Sequence, residues 1–311
     1  MDGSRSSSLS RRGLLTVIGS TTVIGGGCLG NNTSVNVLAA GSLARTFEDH
    51  LGPAFQAETD IEVHGEYFGT NAIMRMVEDR TKHPDIIVSA DATLLRDRLY
   101  GSFTTWDVEF ATNSLGIGYT EETEFGRRLA AGEPWYAVVR DMEDGDLTIG
   151  DPNLDPLGYR AVLAFELAEK AYDLEGFRND VLDIAYEEPD EPQIVAGVES
   201  GGRAAAIVYR NMAVDHGIPF QEFPDAYNFA NPEMEDHYNT VEFITEEEGY
   251  RAVGRPIIYN ATVNEATEHP HASVRFIQFL IDRPELLVEA GLTMADDLPR
   301  AIGDVPDGVT R

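Results

Sequence analysis

The chain has 311 residues, 42% of them hydrophobic, so it can bury one or two sizeable cores. Its 54 acidic and 23 basic residues give a formal net charge of -31, and only two residues, Lys82 and Lys170, are lysines, which excludes nucleic acid as a natural partner. The charge is spread through a chain that keeps its apolar runs, which argues against a disordered acidic tail and for a halophilic surface in molar salt, where the Debye length falls to about 3 Å.

The first segment reads as an export leader. Ser10-Arg11-Arg12-Gly13-Leu14-Leu15 resembles a twin-arginine (Tat) motif, and the apolar stretch from Leu14 to Ile24 is too short for the ~20 residues a membrane span needs. Gly25-Gly26-Gly27-Cys28 resembles a lipoprotein cleavage site, although Gly25 stands where such sites usually carry Leu. Residues 1–27 are therefore expected to be a signal peptide and Cys28 the lipidated N-terminus, with a free thiol on a plain secreted protein as the alternative. As the single cysteine, Cys28 has no intramolecular disulfide partner.

A polar linker closes at residue 34, after which strands and helices alternate. Strands are predicted at Val35 to Ala39, Ile61 to Tyr67 and Asp85 to Val88, with helices Leu43 to Ala57 and Asn71 to Asp79 between them. A second block carries strands at Ser114 to Tyr119, Leu147 to Gly150 and Ala205 to Tyr209, with helices Leu157 to Tyr172 and Gln193 to Glu199. The remainder, a strand at Pro256 to Ala261 and helices His271 to Asp282 and Pro284 to Ala290, is too small to stand alone. It is expected to complete the first block. The expected division is lobe 1 at residues 35–112 and 256–311 and lobe 2 at residues 113–255, with crossings near Phe110 to Asn113 and Gly254 to Ile258. Parallel doubly wound sheets bind ligands at the carboxyl ends of their strands.

Two loops at such ends repeat one arrangement of glycine, hydroxyl and helix start. Ala40-Gly41-Ser42-Leu43 follows the first strand and Gly69-Thr70-Asn71 follows the second, so both converge on one point and suit an anion. Ser42 is equally an ordinary N-cap on this reading. In the second block, Asp151-Pro152 and Asp155-Pro156 make a rigid helix start, Glu191 precedes a helix where an acid favours the dipole, and Tyr209 ends a strand as either core or donor.

In order, Ala40-Gly41-Ser42-Leu43, Gly69-Thr70-Asn71-Ala72, Pro84-Asp85-Ile86-Ile87-Val88-Ser89-Ala90-Asp91, Phe110-Ala111-Thr112-Asn113, Asp155-Pro156-Leu157-Gly158-Tyr159-Arg160, Glu199-Ser200-Gly201 and Gly254-Arg255-Pro256-Ile257-Ile258-Tyr259 stand along the chain. This series resembles the archaeal tungstate/molybdate-binding proteins of ABC importers over roughly residues 35–295. The resemblance implies an α/β, two-lobed periplasmic-binding-protein fold of the second type, each lobe a doubly wound sheet, with the ligand in the cleft between them. It implies oxyanion contacts from Ser42, Thr70 (where relatives usually have Ser) and Tyr209, while Asp155 and Glu191 match two carboxylates that approach the molybdenum or tungsten itself. It also implies a monomer without cofactor that delivers molybdate or tungstate to a membrane permease, and the leader adds the expectation of a tether outside the cell at Cys28. Gly202-Arg203-Ala204 departs from the family's acidic and aromatic stretch and bears on either the site's charge or a turn.

Sulfate, phosphate and ferric iron remain alternatives on the same fold, iron because Tyr67, Tyr227 and Tyr259 lie near loops. An enzyme is disfavoured: the chain has no Gly-x-Ser-x-Gly elbow, no His-Glu-x-x-His and no Gly-Lys-Ser/Thr loop, and His269 and His271 lack a third metal ligand in sight.

Overall fold

In the computed structural model, which describes residues 33–309, the alternation of apolar runs and amphipathic segments resolves into two β-sheets flanked by helices. The strands in chain order are β1 (Ser34–Ala40), β2 (Glu62–Phe68), β3 (Ile86–Ser89), β4 (Trp106–Thr112), β5 (Leu115–Tyr119), β6 (Leu147–Gly150), β7 (Tyr186–Glu188), β8 (Ala205–Tyr209), β9 (Phe220–Glu222), β10 (Glu242–Ile244), β11 (Arg251–Val253), β12 (Ile258–Val263) and β13 (Arg300–Gly303). The larger sheet has the order β13-β4-β12-β3-β1-β2 and the smaller β7-β6-β8-β5-β9, while β10 and β11 form a separate ribbon. Parallel pairing of β1 with β2 and β3, and of β6 with β7 and β8, gives each sheet a parallel part. The antiparallel strands β12, β4 and β13 extend the larger sheet, and β5 and β9 extend the smaller.

The inner strands β3 and β8 are short apolar runs with every residue buried, as helices on both faces require. Beside the larger sheet, Phe55 meets Phe276 and Phe279 edge-on; beside the smaller, Trp135 stacks on Phe223 at 4.4 Å and packs on Phe177. The chain leaves the larger sheet after Thr112 and enters the smaller at Leu115, so Asn113 and Ser114 lie at the crossing.

Several elements differ from the sequence expectation. The helix expected over 43–57 is broken into a 3-10 turn at Gly41–Leu43, a π-helical stretch at Thr46–Leu51 and an α-helix at Gly52–Thr59. Pro53 has no N–H to give to the preceding turn, and Gly52 donates to Phe47, five residues back, which is the wider π register. Strand β4 takes in most of the expected crossing from Phe110 and begins earlier, at Trp106, where Asp107 and Glu109 break the apolar pattern. Both acids are nevertheless buried: Arg96 donates to Asp107 at 2.7 Å and to Glu109 at 2.6 Å, Asn260 donates to Asp107 at 2.9 Å, and Arg300 reaches Glu109. Helices Ala92–Leu99, Phe177–Ile184 and Arg210–His216 also went unanticipated. Among the described residues no helix is long and apolar enough to cross a membrane. The leader and Cys28 lie outside the described residues.

The ion pairs sit mostly at the surface, for example Arg251–Glu242 and Arg128–Asp141, where each contributes only about 0–1 kcal/mol. They cannot offset the self-repulsion of a chain at -31. The thermal midpoint should therefore rise between dilute buffer and molar chloride. A midpoint that stays flat or falls would mean the ion pairs outweigh the excess charge.

Candidate functional site

Strands β1 and β2 run parallel and in register, Ala40 beside Phe68, so the loops that follow them emerge at the same sheet edge. Ser42 lies in the turn after β1, and Thr70 opens helix Thr70–Glu78 after β2. The smaller sheet contributes the other three residues. Asp155 caps helix Pro156–Tyr172 beyond β6, Glu191 is the first residue of helix Glu191–Glu199, and Tyr209 ends β8. All five are buried, none more than 4% exposed.

Two glycines let the lobes meet. A Cβ on Gly41 would stand 2.8 Å from both Cβ and Oε2 of Glu191, and one on Gly69 would stand 2.4 Å from the Leu154 carbonyl and 2.6 Å from Asp155 Cβ. Each glycine loop of the larger lobe thus receives one acid of the smaller lobe, and any side chain there would push it out. The Ala72 N–H donates across the same contact to the Leu154 carbonyl at 3.2 Å.

The N-cap positions of the turn and the helix are Ala40 and Gly69, so Ser42 and Thr70 are not the capping residues. The Ser42 hydroxyl pairs with that of Tyr259 at 3.1 Å, and Thr70 Oγ1 accepts from the Ala90 N–H at 3.2 Å. Asn113 donates to Tyr259 (3.2 Å) and Asn211 (2.8 Å), and Asn211 donates to the Ser42 carbonyl at 2.6 Å. The N-cap reading holds in part for Asp155, whose Oδ1 accepts from the Gly158 N–H at 2.7 Å.

Three acceptors are left over. Asp155 Oδ2 and both Glu191 carboxylate oxygens are buried without a hydrogen-bond partner among the described residues. Burial pushes the Asp155 carboxyl up to about 7; the Gly158 N–H restrains the shift and the charge of Asp151 adds to it. Burial likewise raises Glu191 well above the usual carboxylate range, and the neighbouring Asp155 charge raises it further. Gly41 and Ser42 lie close enough to Glu191 to restrain that shift, yet neither of its oxygens reaches hydrogen-bond geometry. Burial also raises Tyr209 and Tyr259, so both phenols stay neutral donors.

One basic side chain lies directly behind these groups. Arg160, buried in the first turns of helix Pro156–Tyr172, donates to the Tyr209 hydroxyl at 2.7 Å. An arginine embedded in the apolar run Leu157 to Phe165 was the available signal, because such a residue is seldom buried unpaired. Asn211 carried no comparable mark, while Asn113 and Tyr259 stood in the motif series without an assigned contact.

The three tyrosines of the iron alternative do not share one environment. Tyr67 packs edge-on against Phe47, Tyr227 accepts from the Trp135 indole at 3.0 Å in the smaller lobe's aromatic core, and Tyr259 joins Ser42. Arg203 donates to the Gly145 carbonyl at 2.5 Å and lies 4.3 Å over the Tyr186 ring. No group of three or more His, Cys, Asp or Glu among the described residues is placed to hold a metal ion.

Residues 35–286 match the family described as bacterial extracellular solute-binding protein. The chain belongs to that family. This solute-binding protein is 45% identical over 304 residues to an uncharacterized solute-binding protein of Halobacterium salinarum, covering 97% of this chain and 98% of that one. It is 27% identical over 337 residues to the molybdate/tungstate-binding protein of Thermococcus kodakarensis, covering 95% and 94%. Among solved structures, the periplasmic molybdate-binding protein of Azotobacter vinelandii superposes with a TM-score of 0.61 at 15% identity, covering 84% of this chain and all of that one. The sulfate-binding protein of Mycobacterium tuberculosis gives 0.60 at 15% identity, covering 85% and 88%. The fold is thus the type II periplasmic-binding-protein fold, and the family is one of transport rather than catalysis.

The raised Asp155 pKa has a thermodynamic consequence for the ligand-free protein. Between the unfolded value of about 3.9 and the folded value of about 7, the folded state holds a proton that the unfolded chain has released. The stability contributed is full below about pH 4 and lost as the pH rises through about 7. Asp155→Asn should flatten this slope, so its stability relative to wild type should grow from pH 4 to 7 and then level off in urea unfolding without oxyanion. A constant difference across that range would place the Asp155 pKa near its unfolded value.

Proposed function

We propose that this solute-binding protein captures molybdate or tungstate outside the cell and hands it to the permease of an ABC importer, acting as a monomer with no cofactor. The observation that carries the reading is the pair Asp155 and Glu191, which brings three unpartnered carboxylate oxygens into one buried place beside neutral hydroxyl donors. An ionised carboxylate repels the oxo groups of sulfate, which bring no proton to share with it, so for a sulfate receptor the pair would be a cost without return. A large hexavalent metal can accept oxygen donors beyond its four oxo groups, and the unpaired oxygens would then gain a partner. Ser42, Thr70 and Tyr209 would hold the oxo groups. The names of relatives such as the Thermococcus kodakarensis protein support the same anion.

The proposal includes lobes divided at residues 112/113 and 255/256, a division supported by the strand membership of the two sheets. It also includes Tat export of a halophilic lipoprotein tethered by Cys28 to the outer face of the membrane. Arg11→Lys with Arg12→Lys should trap precursor in the cytoplasm. Cys28→Ser should move the protein from the membrane fraction to the medium, and an unchanged fractionation would refute the tether.

The ligand is tested by titration with molybdate, tungstate, sulfate, phosphate and ferric iron in molar salt. Asp155→Ala or Glu191→Ala should weaken molybdate and tungstate by about 1–3 kcal/mol while sulfate, relieved of repulsion, binds less badly. A tungstate-to-sulfate ratio that stays constant in both variants would sink the assignment and leave the two acids as structural.

A further inference from the structure

Ser42, Thr70 and Tyr209 carry the hydroxyls proposed above to hold the anion, and a hydroxyl helps an anion only if its proton points at it. Its orientation depends on what its oxygen accepts from behind. For Tyr209 the partner is Arg160: one guanidinium nitrogen donates to the phenol at 2.7 Å, so the single phenolic proton must point away from the arginine. The same nitrogen donates at 2.9 Å to the carbonyl of Ala90, and the Ala90 N–H donates to Thr70 Oγ1, which directs the Thr70 proton away from that N–H. The other guanidinium nitrogen meets Asp91 Oδ2 at 3.0 Å, an oxygen that also accepts from the Tyr159 hydroxyl at 2.7 Å. Arg160 and Tyr209 belong to elements of the smaller sheet's lobe, whereas Ala90 and Asp91 follow β3 of the larger sheet. One buried guanidinium thus serves a hydroxyl from each side of the cleft.

We propose that Arg160 is a positioning residue for the anion site: its fork fixes the Tyr209 hydroxyl and, through Ala90, the Thr70 hydroxyl as obligatory donors, and it completes this arrangement only when the lobes are together. The fork is needed because a point charge could satisfy Tyr209 or Asp91 but not both nitrogens' partners in their observed directions. Arg160 itself does not touch the ligand; it acts through other groups. The inference rests on the oxyanion reading above.

The test is a double-mutant cycle read by tungstate titration in molar salt, with Arg160→Met, Tyr209→Phe and the pair, plus Asp91→Asn. Each of the first two should weaken tungstate about tenfold or more, the loss of one charge-assisted hydrogen bond. Adding Arg160→Met to Tyr209→Phe should then cost much less than it does alone, because its chief route to the ligand is already gone. Asp91→Asn, which spares the bond to Tyr209, should weaken tungstate less than Arg160→Met. Cooperative thermal unfolding is checked for each protein; if Arg160→Met does not fold, Arg160→Gln, which loses both the charge and the fork, replaces it in the same cycle. Wild-type affinity retained without Arg160, strict additivity with Tyr209→Phe, or an Asp91→Asn loss as large as that of Arg160→Met would overturn the proposal. The last two outcomes would leave Arg160 as a clasp between lobes. A wild-type protein that binds no tetrahedral oxyanion would instead refute the proposed function, a result distinct from these.

Discussion

Burying an ionised carboxylate without a partner costs several kcal/mol, and a second beside it adds repulsion. Asp155 and Glu191 impose that condition on the closed cleft, and much around them is arranged to meet it. Both come from one lobe and press into glycine loops of the other, so the cost arises where the lobes meet. The raised pKa of each acid is the physical expression of that cost. Closure is opposed by the acids and favoured by contacts such as Ala72 to Leu154 and Arg160 to Asp91. On the proposed function, a ligand that bonds the acids would tip this balance, and recognition and lobe closure would draw on the same free energy.

Neutral donors and unpaired acceptors together describe an anion more narrowly than a basic pocket would. An arginine aimed at the ligand would welcome most dianions, but Arg160 is spent on Tyr209, Ala90 and Asp91. The architecture itself does not choose: the molybdate-binding and sulfate-binding structures match this chain almost equally, at TM-scores of 0.61 and 0.60. On the proposed function, discrimination would therefore reside in a handful of side chains at the strand ends.

Much of this was legible in the sequence where a single physical demand dominates. Strands β3 and β8 are buried on both faces and read as apolar runs, and the glycine, hydroxyl and helix-start pattern marked both loops of the larger lobe. What stayed hidden depends on partners distant in the chain. Asp107 and Glu109 look like solvent-facing acids until Arg96 and Arg300 are folded against them, which concealed β4. The π register at Thr46–Leu51 turns on one proline, and periodicity alone continues the helix through it. Asn113 and Asn211 are common polar residues whose role exists only once the crossing brings them beside Tyr259 and Ser42.

The scarcity of lysine has a practical side. Lys82 follows helix Thr70–Glu78 near the larger sheet, and Lys170 lies near the end of helix Pro156–Tyr172 against the smaller one; both side chains are partly exposed and each is paired with a glutamate. Side-chain amine chemistry therefore has one address on each lobe of the native sequence. A donor and an acceptor dye attached there would report the distance between lobes as the cleft opens and shuts, with no residue exchanged to install them.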